Sequence, residues 1–225
     1  MLVHVPGVVP AAELPGIQAA LVAAEWEDGQ RTAGREARKV KQNLQLAPES
    51  ALYRELAPRL RQWLEASALV SAAAQPRRLL PVLVNRYHAG MHYGPHVDNA
   101  VRLLPGHGHV RSDVSATLFL ADPASYDGGE LVIEDSFGSH AVKLPAGDLI
   151  LYPASSLHHV RPVTRGDRYA ACFWMESLLP DPRDRELLFR LEGVISGLRR
   201  DSNEHPALLP LGIIYQNLLR RLAET

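Results

Sequence analysis

The chain has 225 residues, of which 46% are hydrophobic and 22% are charged, and its formal net charge is -1. This length is enough for a substantial hydrophobic core. A charge this close to zero gives no general attraction to nucleic acid or to anionic membrane surfaces, so we expect neither as a partner. We also expect no membrane span, because no stretch approaches the roughly 18 apolar residues that a span requires.

The cysteine content and the N-terminus indicate the compartment. The single cysteine, Cys172, cannot form an intrachain disulfide, and the apolar run 169–175 around it predicts a small, buried side chain. The first arginine is Arg31, and Glu13 interrupts the apolar start, so the chain lacks the pattern of a signal peptide. We therefore predict a cytoplasmic protein.

The N-terminal third is predicted to contain helices and short strands. Residues 3–8 are typical of a strand, and an Ala-rich amphipathic helix should follow and end near Trp26. Alternating apolar side chains predict another strand over 39–46. A further helix begins at Ser50, and Pro58 within it predicts a kink or a junction.

The pattern changes at Arg77 to short runs rich in Val, Leu and Ile, separated by Gly, Pro, Asp and Ser. We predict eight strands, at 78–87, 92–98, 113–121, 129–134, 139–144, 148–152, 157–163 and 168–177. Close turns are predicted at 135–138, 145–148 and 164–167. Eight short strands with close turns favour a mainly β fold with flanking helices, whose core is a double-stranded β-helix (jelly roll).

The chain after Pro180 returns to a helical pattern. One helix carries the apolar stripe Leu187, Leu188, Leu191, Val194, Ile195 and Leu198, and a second covers 206–222. These helices either cover the sheet or meet a second subunit, which would make the protein a homo-oligomer. The predicted organisation is a scaffold over 1–77, a jelly-roll domain over 78–177 and a helical extension over 178–225.

The candidate chemistry centres on His96 and Asp98. In an extended segment these two side chains share one face. They would supply two of the three ligands of the two-histidine, one-carboxylate set that holds non-haem Fe(II) with open coordination positions. The third ligand should be a histidine on a late strand, and His158 and His159 are both candidates. They must face opposite sides of a strand, and the length of the adjoining turn leaves the choice between them open.

Further candidate residues surround this pair. Arg168 follows a Gly-Asp turn and could grip a dicarboxylate in bidentate fashion, although such an arginine is often simply solvated. Tyr87 and Tyr93 could donate hydrogen bonds to the same ligand or could merely pack. The loop 99–112 carries Arg102, His107, His109 and Arg111 and borders the predicted mouth of the barrel, so it either contacts the substrate or is a solvated loop. His92 is expected to pack near the ligands rather than to bind metal.

Several motifs occur together in order: Asn85-Arg-Tyr87, His96-x-Asp98, Asp127-Gly-Gly-Glu-Leu131, Leu144-Pro-Ala-Gly-Asp-Leu149, Ser156-Leu-His158 and Pro162-Val-Thr-Arg-Gly-Asp-Arg168. This set resembles the Fe(II)- and 2-oxoglutarate-dependent dioxygenases of the prolyl/lysyl hydroxylase type. It resembles most closely the bacterial PKHD-type hydroxylases, which are associated with iron uptake. The similarity extends over nearly the whole chain, including the helical tail.

The resemblance implies that His158 is the second histidine ligand beside His96 and Asp98, and that Arg168 binds 2-oxoglutarate with help from Tyr87. It implies Fe(II), 2-oxoglutarate, O2 and L-ascorbate as cofactors, and hydroxylation of an unidentified small molecule or peptide with release of succinate and CO2. Two other readings stay open from the residues alone: a metal cupin enzyme that does not use 2-oxoglutarate, and a non-catalytic iron- or ligand-binding jelly-roll module.

Overall fold

The computed structural model describes residues 1–224 and consists mainly of antiparallel strands with flanking helices. Its elements in chain order are β1 (Val3–Val5), α1 (Leu14–Ala23), β2 (Glu27–Asp28), two 3-10 helices (Gly29–Thr32 and Ala37–Val40), β3 (Lys41–Gln42), β4 (Leu44–Gln45), α2 (Ala51–Ala66), α3 (Ala68–Ala74), β5 (Pro76–Leu79), β6 (Leu83–His88), β7 (His92–His96), β8 (Val101–Leu104), β9 (Gly108–Arg111), β10 (Val114–Phe119), β11 (Asp127–Gly128), β12 (Leu131–Asp135), β13 (Gly138–Val142), β14 (Leu149–Pro153), β15 (His158–Val160), β16 (Val163–Arg165), β17 (Asp167–Ser177), α4 (Pro182–Asp201) and α5 (Leu208–Leu222).

Two sheets form the body of the molecule. The major sheet has the order β1-β14-β10-β17-β6-β4-β2, and β5 also pairs with β17. The minor sheet has the order β13-β12-β15-β7-β3, and the pairs β8-β9 and β11-β16 stand apart. This is the predicted arrangement of a jelly-roll core with helices around it. Strands from the first 77 residues belong to both sheets.

The long strand β17 explains how the two layers are packed, because its side chains alternate between them. Ala171, Phe173 and Met175 belong to the hydrophobic core formed with α1, α2 and α3. A second core contains residues of both sheets, including Tyr152 of β14 and Leu131 of β12. The major sheet therefore carries the helices on one face and the minor sheet on the other.

Several predicted strands are shorter than expected, because Pro or Gly ends them. β1 stops at Val5, two residues before Gly7, which has a positive φ of 60°. The predicted strand 78–87 is split into β5 and β6 around Pro81, and the strand 157–163 is split into β15 and β16 around Pro162. Proline has no backbone N–H to donate to a sheet, so a break at these positions is expected.

The strand predicted over 39–46 is wrong in its detail. Val40 ends a 3-10 helix, and the residues after it form two short strands, β3 in the minor sheet and β4 in the major sheet. The chain crosses between the sheets at Asn43, whose buried amide donates to the side-chain oxygen of Asn85 at 2.8 Å. The buried side chains here are largely polar, so the apolar alternation was misleading.

The helical regions agree better with the sequence. Ser50 caps α2 by accepting a hydrogen bond from the backbone N–H of Tyr53, and α2 continues through Pro58 to Ala66. α1 ends at Ala23, short of Trp26, and α3 was not predicted.

α4 and α5 pack against each other and leave large apolar side chains exposed, among them Leu187, Val194, Leu209 and Ile213. Oligomerisation through these helices stays a prediction.

The helices found in residues 1–224 are all too short or too polar to span a lipid bilayer.

Candidate metal centre

His96 and His158 are direct neighbours across the antiparallel pair of β7 and β15. Their ring centroids lie 4.3 Å apart. Asp98 follows β7, and its Oδ2 lies 3.6 Å from Nε2 of His158. One ligand atom from each of the three residues lies within 4.8 Å of the other two. Residues that are 60 positions apart in sequence thus converge on a space that suits a single metal ion.

Hydrogen bonds fix the tautomer of both imidazoles. Nδ1 of His96 lies 2.8 Å from the carbonyl oxygen of Gly94, and Nδ1 of His158 lies 3.0 Å from that of Ser156. A carbonyl oxygen can only accept, so each Nδ1 carries a hydrogen, and in the neutral form of either ring Nε2 is the nitrogen with the free lone pair. The hydroxyl of Ser115 donates to Oδ2 of Asp98 at 2.7 Å. Such outer contacts orient metal ligands.

The electrostatics of His96 also suit metal binding. Burial, together with the neighbouring His158, lowers the pKa of His96 to about 4, although its bond to Gly94 opposes the shift. The ring is therefore neutral near pH 7, as a ligand must be. Tyr93 stacks on this ring with a centroid distance of 3.7 Å and an interplanar angle of 17°.

The other two candidate histidines lie outside the cluster. His159 is the next residue of β15 and pairs with Val132 of β12, so its side chain points to the opposite face from His158. His92 pairs with Gln42 at the other end of β7. Among residues 1–224, the register places His158 and not His159 beside His96 and Asp98.

Arg168 lies at the start of β17, opposite Tyr87 of β6. Its side chain is 2% exposed, and its guanidinium carbon lies 5.3 Å from the ring centre of Tyr87 and 5.4 Å from that of Phe119. Nε and Nη2 are buried and have no hydrogen-bond partner among the described residues. A buried cation with free donors is costly unless an anion joins it, so this geometry fits the carboxylate of a bound ligand.

Tyr87 is buried, and its burial raises the pKa of its phenol above the usual range. Its ring packs against the guanidinium of Arg168. A hydrogen bond from its hydroxyl to a ligand stays a prediction.

One cavity joins the side chains of His96, Asp98 and His158 to that of Arg168. Its wall also includes residues that the sequence analysis did not assign to the site: Lys41, Asn85, Thr117, Tyr152, Cys172 and Trp174. The period-2 alternation of β17 was a usable signal for two of them, because Cys172 and Trp174 share a face with Arg168. Lys41 carried no comparable signal, since it falls in the segment whose structure was predicted wrongly.

Two further sequence expectations change at this cavity. The segment 99–112 is a β-hairpin of β8 and β9 rather than a loop, with Gly106 at a φ of 80° in its turn. Arg102 of this hairpin does reach the cavity. Cys172 is only partly buried and lines the cavity, where its sulfur accepts a hydrogen bond from the amide of Asn85 at 3.0 Å. It also packs against the small core cluster that contains Leu80 and Trp174, so the burial predicted from its apolar neighbours is confirmed in part.

The donor set and the buried arginine fit a metal and an anionic co-substrate, and known proteins with similar sequences point to the same chemistry. The model of the 2OG-Fe(II) oxygenase superfamily matches residues 82–176, and that of the PKHD-type hydroxylase C-terminal domain matches residues 183–224. A PKHD-type hydroxylase of Methylobacterium nodulans is 54% identical over 226 residues, with 100% of both chains covered.

Solved structures support the fold. HygX from Streptomyces hygroscopicus, with nickel, 2-oxoglutarate and hygromycin B bound, is 20% identical with a TM-score of 0.55, and the match covers 78% of this chain and 82% of that one. A prolyl hydroxylase from Trichoplax adhaerens, in complex with a hypoxia inducible factor peptide fragment, is 13% identical with a TM-score of 0.58, and the match covers 78% and 83%.

Proposed function

Because this chain belongs to the PKHD-type hydroxylases of the 2OG-Fe(II) oxygenase superfamily, we propose that His96, Asp98 and His158 hold its Fe(II) and that Arg168 holds its 2-oxoglutarate. The family makes the protein an Fe(II)- and 2-oxoglutarate-dependent hydroxylase. The observation that carries the assignment of residues is the buried guanidinium of Arg168, whose Nε and Nη2 have no hydrogen-bond partner within residues 1–224 and which shares a cavity with His96, Asp98 and His158.

The proposed reaction joins one oxygen atom of O2 to a substrate C–H bond and the other to succinate: R–H, 2-oxoglutarate and O2 give R–OH, succinate and CO2. Fe(II) and 2-oxoglutarate, when bound, supply the oxidising chemistry. The imidazoles of His96 and His158 and the carboxylate of Asp98 would hold the metal and leave coordination positions open for ligands. L-ascorbate is proposed to restore iron that oxidises without turnover.

Arg168 would orient the co-substrate. A guanidinium matches the two oxygens of a carboxylate in bidentate geometry. Its packing against the rings of Tyr87 and Phe119 restricts its position. This placement favours an enzyme that uses 2-oxoglutarate. Neither a metal cupin that does not use 2-oxoglutarate nor a non-catalytic binding module has need for a second anion site beside the metal.

The decisive experiment measures succinate release from purified protein supplied with Fe(II), 2-oxoglutarate, ascorbate and O2. We expect the wild type to form succinate slowly even without a substrate, and Asp98→Ala to form none. Removing iron from the wild type should stop succinate formation, and adding Fe(II) back should restore the normal rate. Equal succinate formation by wild type and Asp98→Ala would reject the assignment. Circular dichroism of the variant checks that its fold is kept.

A link to iron uptake or homeostasis is proposed from the family resemblance, and the substrate is proposed to be a small molecule or a peptide. A strain in which the chromosomal copy encodes Asp98→Ala tests this link. We expect it to grow more slowly than its parent when iron is chelated and equally fast when iron is plentiful. Equal growth in both media would remove the link without affecting the reaction.

A further inference from the structure

The cavity carries more positive charge than the metal and the co-substrate need. Among the described residues that line it, three side chains are cationic, Lys41, Arg102 and Arg168, and one is a carboxylate, Asp98. The proposed function assigns Asp98 to the metal and Arg168 to 2-oxoglutarate. Lys41 and Arg102 are left without an anion.

Arg102 lies at the opposite end of the cavity from Arg168. Its guanidinium carbon lies 3.3 Å from the ring centre of Trp174. Trp174 and Arg168 are six residues apart on β17, which corresponds to roughly 20 Å along an extended strand. The metal-ligating carboxylate lies toward the Trp174 end, because Asp98 accepts a hydrogen bond from Ser115, the residue paired with Trp174 in the sheet. A co-substrate that connects Arg168 to the metal would therefore leave Arg102 free on the far side.

The guanidinium of Arg102 is fixed but not saturated. It is stacked on Trp174, and its Nε is buried without a partner among residues 1–224. Its Nη2 lies 3.7 Å from Oδ1 of Asp98, which is too long for a good hydrogen bond. A metal bound to Asp98 would engage that carboxylate and weaken its attraction for the arginine. The edge of the guanidinium is thus available for two oxygens of a ligand.

Lys41 adds a second positive charge from β3 of the minor sheet, whereas Trp174 belongs to the major sheet. It is 4% exposed and pairs with Tyr93 across β3 and β7. Its Nζ donates to the hydroxyl of Thr32 at 3.0 Å and lies 5.3 Å from the ring centre of Tyr93. Neither contact is with a carboxylate. A buried ammonium whose direct contacts are both uncharged favours an anionic ligand nearby.

We propose that the substrate of this hydroxylase is anionic and that its oxyanion binds to the Arg102 guanidinium on Trp174, with Lys41 as the neighbouring charge. The inference rests on the proposed function and deepens it, because it names the substrate class. The group that Arg102 recognises is a planar or tetrahedral oxyanion, either a carboxylate or a phosphate. The carbon to be hydroxylated would lie between this anchor and the metal.

The test uses the full chain loaded anaerobically with Fe(II) and saturating 2-oxoglutarate, so that Arg168 is already occupied. Pentanoate, butyl phosphate and neutral pentanamide are titrated by calorimetry. We expect pentanoate or butyl phosphate to bind and pentanamide not to bind; the better of the two anions identifies the oxyanion. Arg102→Met, which keeps the packing on Trp174, should weaken that binding at least tenfold, and Arg102→Lys should restore part of it.

The matched control is Arg38→Met, which removes the same charge from an exposed position on the adjoining 3-10 helix. It should bind the anion like the wild type. The visible absorption band of the complex with Fe(II) and 2-oxoglutarate tests the proposed function separately from the anionic-substrate proposal. Its absence from the wild type rejects the proposed function itself. If the band forms and neither anion binds, or if pentanamide binds equally well, or if Arg102→Met has no effect, the anionic-substrate proposal is overturned.

Discussion

Gly129 lies directly against Arg168, so that a Cβ atom at position 129 would come 3.0 Å from Cδ of the arginine. The same Cβ would come 3.0 Å from Val163 and 3.1 Å from Tyr126. Gly129 also has a φ of 67°, in the left-handed region that favours glycine. The Gly-Gly pair that follows Asp127 therefore makes room for the arginine that the proposed function assigns to 2-oxoglutarate.

Gly129→Ala should displace the Arg168 side chain and weaken 2-oxoglutarate binding by about tenfold, since one charge-assisted hydrogen bond contributes roughly 1.5–3 kcal/mol. The measurement is a titration of 2-oxoglutarate against the Fe(II)-loaded protein. Gly7→Ala is the control, because Gly7 has a similar φ of 60° and nothing within 4 Å of the added Cβ. An equal loss of affinity in both variants would show that strain rather than contact with Arg168 is responsible.

Of the two adjacent histidines, only His158 should affect Fe(II) affinity when it is replaced. We expect His158→Ala to lower Fe(II) affinity by at least the roughly 10–100-fold that loss of even an outer contact costs a metal site. His159→Ala should leave the affinity unchanged, because that side chain faces away from the cluster. Competition with a coloured chelator measures both values. Weakened iron binding in His159→Ala alone would reverse the assignment.

Arg168→Met should stabilise the protein without ligands and abolish its response to 2-oxoglutarate. An unpartnered buried polar group costs about 1–3 kcal/mol, and methionine removes it while keeping the volume. In the wild type, 2-oxoglutarate at 100 times its Kd should add about 2.7 kcal/mol. Thermal unfolding with and without 2-oxoglutarate gives both numbers. A variant whose Tm still rises with 2-oxoglutarate would remove the assigned role.

Asn85→Ala should reduce the free energy of unfolding by about 2–4 kcal/mol, because two buried amide donors lose their acceptor. The side-chain oxygen of Asn85 accepts from Asn43 at 2.8 Å and from Gln45 at 2.7 Å. These bonds hold the segment in which the chain crosses between the sheets. Urea denaturation compares this variant with the exposed Asn203→Ala, for which a change within about 0.5 kcal/mol is expected. Matching midpoints would mean that the amide cluster contributes little.

The proximity of His96 and Asp98 was largely predictable, because the two side chains must share a face in any extended segment. That His158 rather than His159 lies beside them was not predictable from spacing alone. The pairing of β15 with β7 contains an irregularity between His158 and Val160. Such a register shift changes which side chains of one strand share a face with those of the other. Family resemblance supplied what the local rules could not.

The cationic side of the cavity was harder to foresee. Lys41 is buried beside Asn43 and Gln45 in a segment whose apolar residues suggested a plain strand, and burial of polar side chains depends on partners that lie far away in sequence. Arg102 was noted in the sequence, but its position depended on the β8 and β9 hairpin, which was expected to be a loop. Long-range contacts decide both positions.

The single strand β17 carries Arg168 near its first residue and Trp174 near its last, with both side chains on the cavity face. Because continuous backbone pairing to β6 and β10 keeps this strand rigid, it fixes the distance between Arg168 and Trp174, on which Arg102 is stacked. Molecules of the right charge but the wrong length would bind without placing a reactive carbon at the iron. The proposed anionic substrate would thus be selected by length as well as by charge, through the number of residues in one strand.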